Sequence, residues 1–287
     1  MGFDTAYEAI TEESGDQRWA FGTGFADPLA GVDTAVPDGV PGDELAAYCL
    51  MLGDDALIMS HRLQEWLARA PELEEETALA NIALDLLGQA RLLLTRAGRA
   101  DGTGRTEDDL AFGRGPDEFR NVRLAEVRDA DFGGLIVRLL VFSTWRLALL
   151  DRLRESADAV LAAIAAKGVQ ELTYHRDYAA QWLLRLAGGT DYSRERTIAG
   201  LADVAPLVPE LFLDSDLEQG LSPHVVPRPA DLRAEFDAVL ATVLRRAALA
   251  WPDGPVQPEP RGVHTAELAD LLDELQSVAR VHPGATW

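Results

Sequence analysis

Cysteine, lysine and apolar–polar alternation are all scarce in this 287-residue sequence, and each shortage excludes something. Cys49 is the single cysteine and lies in an apolar run, so neither a disulfide framework nor a thiolate metal site can be built, and the cytosol is the expected compartment. Lys167 is the one lysine, the other basic residues being arginines, a bias that carries no functional weight. No stretch of useful length alternates as a strand would, which points to an all-α protein. Nor does any run approach eighteen uninterrupted apolar residues, so no membrane span is expected. The N-terminus carries Asp4, Glu8, Glu12 and Glu13 with no apolar run after a basic start, unlike a signal peptide. A net charge of -22 would repel nucleic acid and anionic membranes, and neither is expected as a partner.

What the chain does have is apolar content, 47% of its residues, enough to fill a substantial core. Residues 1–42 are rich in Gly, Asp, Thr and Pro, end in Pro37-Asp38-Gly39-Val40-Pro41-Gly42 and read as a mobile arm carrying Trp19, Phe21 and Phe25. Residues 43–287 read as one helical domain. A first helix is predicted from Asp43, as N-cap, to about Ala70, before Pro71, and is apolar nearly all round. A second begins in the acidic cluster Glu72-Leu73-Glu74-Glu75-Glu76 and runs to about Ala97, with Gly98 as its stop. A glycine-rich connection follows, long enough to cross to the far side of a bundle. The third and fourth helices are predicted over about Phe132 to Glu155 and Ala159 to Ala187, with Gly188-Gly189 ending the fourth. Shorter helices follow near 193–213, 230–250 and 265–281, the first broken by Pro206 and Pro209. Two long helical pairs joined by a crossover imply a ferritin-like four-helix bundle with additional C-terminal helices; no repeat of solenoid period competes.

Such bundles can hold two irons, using a lone Glu on each of two helices and Glu-x-x-His on each of the others. Counted helix by helix, this chain falls short. The first helix offers Asp54 and Asp55 inside its apolar run, where an unpaired carboxylate would be costly to bury, and one of them is expected to face the core. On the second, Asp85 is followed at i+3 by Gly88, not histidine, and then by Gln89. The middle of the third, Val141 to Leu149, has no acid at all. On the fourth, Glu171 has Tyr174 at i+3 and His175 only at i+4. Asp54, Asp55, Asp85, Glu171 and His175 therefore read as a degenerate metal site, with no metal and no catalytic residue expected in this chain. The acids then need counter-charges: Arg138, which shares a face with Phe142, Trp145 and Leu149, is the leading internal candidate, ahead of Arg146 and Lys167, with Asn81, Gln89 and Tyr174 as hydrogen-bond partners. Gly22-Thr23-Gly24 and Gly113-Arg114-Gly115 lack the strand-then-helix context of a nucleotide loop and read as turns.

Several of these segments also carry a resemblance. Leu52-Gly53-Asp54-Asp55-Ala56-Leu57, Ala70-Pro71-Glu72-Leu73-Glu74 and the run from Leu79 through Asp85-Leu86-Leu87-Gly88-Gln89 to Arg91 resemble the C subunits of ring 1,2-phenylacetyl-CoA epoxidases. Glu107 to Phe112, Lys167 to His175, Gly189-Thr190-Asp191 and the closing His282-Pro283-Gly284-Ala285-Thr286-Trp287 are similar in content and order, so the likeness covers about 43–287. It implies a structural subunit beside a catalytic A subunit that holds the di-iron site and binds the acyl-CoA. It also implies a reductase supplying electrons from NADPH through FAD and an iron-sulfur cluster, and leaves room for a further small subunit. Two other readings remain open: an active di-iron carboxylate monooxygenase with an irregular ligand set, and a helical binding module unrelated to oxygenation.

Overall fold

The computed structural model describes residues 29–252, 254, 257–283 and 285, and among them every regular element is a helix. The chain runs α1 (Gly42–Gln64), α2 (Leu73–Ala100), α3 (Glu107–Phe112), α4 (Arg123–Glu126), α5 (Phe132–Leu153), α6 (Ala159–Gly188), α7 (Asp191–Val204), α8 (Asp216–Gly220), α9 (Arg233–Ala247), α10 (Ala266–Leu275) and α11 (Ser277–Val281), with short 3-10 turns between some of them. The long helices pair as α1 with α2 and α5 with α6, and the two pairs meet most closely where α2 faces α6.

Side-chain capping explains where five of these helices begin. Asp131 accepts the Gly134 amide at 3.0 Å to start α5, and Asp158 accepts the Leu161 amide at 2.8 Å to start α6. Thr106 with Asp109, Thr190 with Ser193, and Ser215 with Glu218 form reciprocal boxes opening α3, α7 and α8. At the start of α1 the expectation needs correcting. Pro41, not Asp43, is its N-cap, and Asp43 and Glu44 lie in the first turn, where they complement the helix dipole. That helix also ends at Gln64, and single turns carry the chain from Trp66 to Ala70.

Gly98 is not a stop either, since α2 continues to Ala100. A Cβ at Gly98 would lie 1.9 Å from the Arg105 carbonyl oxygen, so this glycine lets the chain fold back against its own helix. Gly200 likewise brings α7 against α5, where an added Cβ would sit 2.8 Å from the Gly134 Cα. After Val204 the prolines divert the chain into a 3-10 turn, Ala205–Phe212, as their missing amide and fixed φ require.

The first and third long helices form the interior. Both α1 and α5 are buried through most of their length. By length and composition α2 and α5 could each cross a membrane, but 94% of the most apolar window of α5 is buried by the protein's own helices, the signature of a core helix. In the stretch before α1, Leu29, Val32, Val36 and Val40 pack on the core, and the carbonyls of Thr34 and Ala35 accept from Arg96 at 2.6 and 3.2 Å. The rest of the expected arm, with Trp19, Phe21 and Phe25, lies outside the described residues.

Candidate functional site

Asp54, Asp55, Asp85 and Glu171, the acids singled out on the long helices, have each found a partner. Asp54 is fully buried and is clamped by Arg114, whose Nη1 donates to Oδ2 at 2.9 Å while Nη2 donates to Oδ1; the Arg120 amide donates to Oδ2 at 2.9 Å. Burial raises its pKa above the ordinary aspartate value, with Arg114 working against that shift. Asp55, equally buried, receives both Nη groups of Arg261, at 2.8 and 3.0 Å, and the Val122 amide at 2.8 Å. Burial works against the charge on Arg261, but Asp55 outweighs it and the guanidinium is held above its usual value.

On α2 and α6 the acids pair differently. Asp85 Oδ2 lies 3.0 Å from Nε2 of His175, whose ring is fully buried, and its Nδ1 has no hydrogen-bond partner among the described residues. Glu171 pairs with Lys167 on its own helix and accepts from Gln89 Nε2 across the seam at 2.9 Å. One helical turn therefore separates Glu171 from His175 and sends them to different partners. The i, i+4 spacing thus serves two cross-links between α2 and α6.

A guanidinium occupies the protein interior beside these pairs. Arg146 of α5 is completely buried; its Nε donates to Gln89 Oε1 at 3.0 Å and its Nη2 to the Leu52 carbonyl at 3.2 Å. Gln89 thus joins Arg146 to Glu171 through the two ends of one amide. Burial pushes the Arg146 pKa down to about 10, against the pull of Asp55, so it remains charged at neutral pH.

The expected assignment of Arg138 as counter-charge to the inward acids is wrong. Arg138 is buried but bonds Asp129, with Nε to Oδ1 at 2.8 Å, and reaches the carbonyls of Leu124 and Ala125. Its position near the start of α5 aims it at the end of the crossover rather than at mid-helix. Asn81 is exposed and Tyr174 is 52% exposed, stacked on Tyr178, so neither sits between the acids. Sequence reading missed Arg114 and Arg261 altogether, and Arg114 lies in the very Gly113-Arg114-Gly115 segment that reads as a plain turn. No local signal marks either arginine; they lie 60 and 206 positions from their acids.

The loops around these acids form a second polar layer. Glu126, fully buried at the end of α4, accepts from Asn121 Nδ2 at 2.8 Å and from the Thr265 amide, and its Oε2 lies 2.8 Å from His264 Nδ1. Arg62 of α1 donates to the Glu126 carbonyl at 2.6 Å and to the Glu267 carbonyl at 2.8 Å. Gln276 donates to the carbonyls of Ala111 and Arg114 at 2.9 and 3.0 Å. The crossover and the C-terminal segment are thereby tied to the helix that carries Asp54 and Asp55.

Comparison with known proteins places this arrangement. The family model described as phenylacetic acid catabolic protein matches residues 34–287. Over 248 residues, 85% of this chain and 100% of the relative, the sequence is 40% identical to the C subunit of 1,2-phenylacetyl-CoA epoxidase from Escherichia coli (strain K12). With the match running from the last turns before α1 through the C-terminal helices, the chain belongs to the phenylacetic acid catabolic protein family.

Proposed function

We propose that this chain is a non-catalytic subunit of a multicomponent oxygenase that epoxidises the ring of phenylacetyl-CoA in aerobic phenylacetate degradation. Its long helices form a ferritin-like four-helix bundle, decorated by the C-terminal helices, that supports a catalytic A subunit in the cytosol. The relative's printed name supports the complex, and its full-length coverage supports an equivalent place within it.

The observation that carries the non-catalytic part is the use already made of four acids, Asp54, Asp55, Asp85 and Glu171. A dinuclear iron centre needs carboxylates and imidazoles converging on an open coordination position. Here Asp54 and Asp55 each face an arginine, Asp85 faces His175, and Glu171 faces Lys167 and Gln89. The charged guanidinium of Arg146, between Gln89 and the Leu52 carbonyl, adds a positive charge that would repel a dication. These residues do not fit such a centre. Di-iron then belongs to the catalytic subunit, and FAD, the iron-sulfur cluster and NADPH to the reductase. The role left to this chain is to cover helix faces of the catalytic subunit and hold its ligands in position, as a supporting shell does.

Co-expression with an epoxidase catalytic subunit tests the reading. The expected result is a stable complex whose iron follows the catalytic subunit, with this chain alone carrying far less than one iron. Near-stoichiometric iron in the isolated chain, lost on Glu171→Ala or Asp85→Ala, would establish an active di-iron monooxygenase instead. Failure to form any complex would favour a binding module outside oxygenation.

A further inference from the structure

The hydrogen bonds around His264 dictate its charge. Nε2 lies 2.9 Å from the Phe119 carbonyl oxygen, which can only accept, so Nε2 carries a proton. Nδ1 lies 2.8 Å from Glu126 Oε2. That oxygen already accepts from Asn121 Nδ2, whose orientation is set by a further bond to the Val122 carbonyl at 3.1 Å, and Glu126 Oε1 accepts the Thr265 amide. With donors already on both of its oxygens, Glu126 offers Nδ1 an acceptor, and Nδ1 donates to it as well. Both ring nitrogens are therefore protonated, and His264 is an imidazolium.

We propose that His264 is a charged latch that pins the C-terminal segment, residues 261–276, onto the crossover while its ring carries both protons and lets it loosen as rising pH removes one. The segment has something to close over. It brings Arg261 to the buried Asp55, backs Arg62 through the Glu267 carbonyl and seats Leu268, Leu271 and Leu272 in the core. Gln276 then ties it to the loop that holds Arg114 on Asp54. A neutral imidazole has one proton for two acceptors, so deprotonation strips a donor from either the Phe119 carbonyl or Glu126 and leaves a fully buried carboxylate without its cation.

The charged groups nearby are Glu126 on α4, Glu210 on the 3-10 turn with its partner Arg123, Arg62 on α1, and Arg261 with Asp55. Of these groups His264 is the one whose ordinary value lies nearest neutrality; burial raises Glu210 above the usual carboxylate range, and burial lowers His61 on α1, which faces Glu274 of the segment. Burial alone would lower its pKa, but the bonds to Glu126 and the Phe119 carbonyl outweigh burial and raise it. The sign follows. Stability from a raised histidine pKa is fully present below the unfolded value and is lost as pH rises through the folded one.

Two measurements on the full chain decide the matter. In histidine-selective 15N NMR at neutral pH, both His264 nitrogens should appear protonated; a neutral tautomer there overturns the proposal. Amide exchange of residues 266–276, corrected for the intrinsic base-catalysed rate, should lose about tenfold or more of its protection as His264 titrates. His264→Gln should show the low protection already at pH 6 and no step with pH. Should that variant not fold, the wild-type titration still decides, because protection that stays flat through the His264 midpoint refutes the latch.

Discussion

Replacing Arg114 by leucine should be among the most damaging single changes away from the apolar core. The side chain is 5% exposed and its partner Asp54 is fully buried. The substitution removes both guanidinium bonds to Asp54 and those to the Leu110 and Glu118 carbonyls, and takes away the cation that lies 4.1 Å over the Phe119 ring. Only the Arg120 amide would remain among the donors described on the carboxylate. Breaking a buried pair from one side costs about 3–5 kcal/mol, since a charge is left uncompensated in a poor solvent. With a urea slope of about 3 kcal/mol/M, the unfolding midpoint at pH 7 should fall by about 1 M or more.

The loss should also depend on pH. Burial already raises the Asp54 pKa, and without Arg114 it rises further, so the variant's Asp54 takes up a proton on folding. A carboxyl whose folded pKa is raised gives its full stability below the unfolded value of about 3.9 and loses it as pH rises through the folded value. The variant's deficit should therefore shrink from pH 7 to pH 5 by about 1.4 kcal/mol for each unit over which Asp54 stays protonated. Asp54→Asn combined with Arg114→Leu should lose that pH dependence and recover part of the stability. Urea unfolding followed by far-UV circular dichroism at both pH values provides the check. A deficit below about 1 kcal/mol at pH 7, or one equal at both pH values, would refute the claim that a buried ion pair holds the crossover on α1.

Other outcomes follow from the same geometry. Asp158→Ala should cost about 4 kcal/mol or more in thermal or urea unfolding, because it removes the α6 cap and strands the buried Arg96, whereas Asp151→Ala, at a half-exposed pair with Arg154, should cost under about 0.5 kcal/mol. Gly88→Ala meets no atom within 4 Å and should stabilise the isolated chain by about 1 kcal/mol, while Gly98→Ala must displace the Arg105 carbonyl and should lower the melting temperature. Gln89→Leu should leave Arg146 and Glu171 each short of one hydrogen bond and cost about 2–4 kcal/mol by urea unfolding, without changing the iron content of a complex with the catalytic subunit.

Most of the helices were legible in the sequence because what makes a helix is local: apolar period, caps and prolines act within a few residues. Asp131 and Asp158 mark the starts of α5 and α6, and Pro206 and Pro209 mark the break after α7. Gly98 misled because its reason is a close approach by Arg105, a contact no local pattern reveals. The inward acids were partly legible: one of Asp54 and Asp55 is expected to face the core, and both are fully buried because α1 is enclosed on nearly every side. Their partners were not. Asp54 is 60 positions from Arg114 and Asp55 is 206 from Arg261, and Arg138 looked suited to the task but is turned toward Asp129.

The amino-acid sequence thus determines by itself that this chain is helical, that acids lie on the inner faces of its long helices, and that the Glu-x-x-His pattern is missing. Tertiary structure alone decides which cation meets which acid, and that Arg146 lies buried beside Gln89. The physical reason is range. Helix formation is settled by neighbours along the chain, whereas the cost of burying a charge is offset by whichever donor the packing of distant segments brings within about 3 Å.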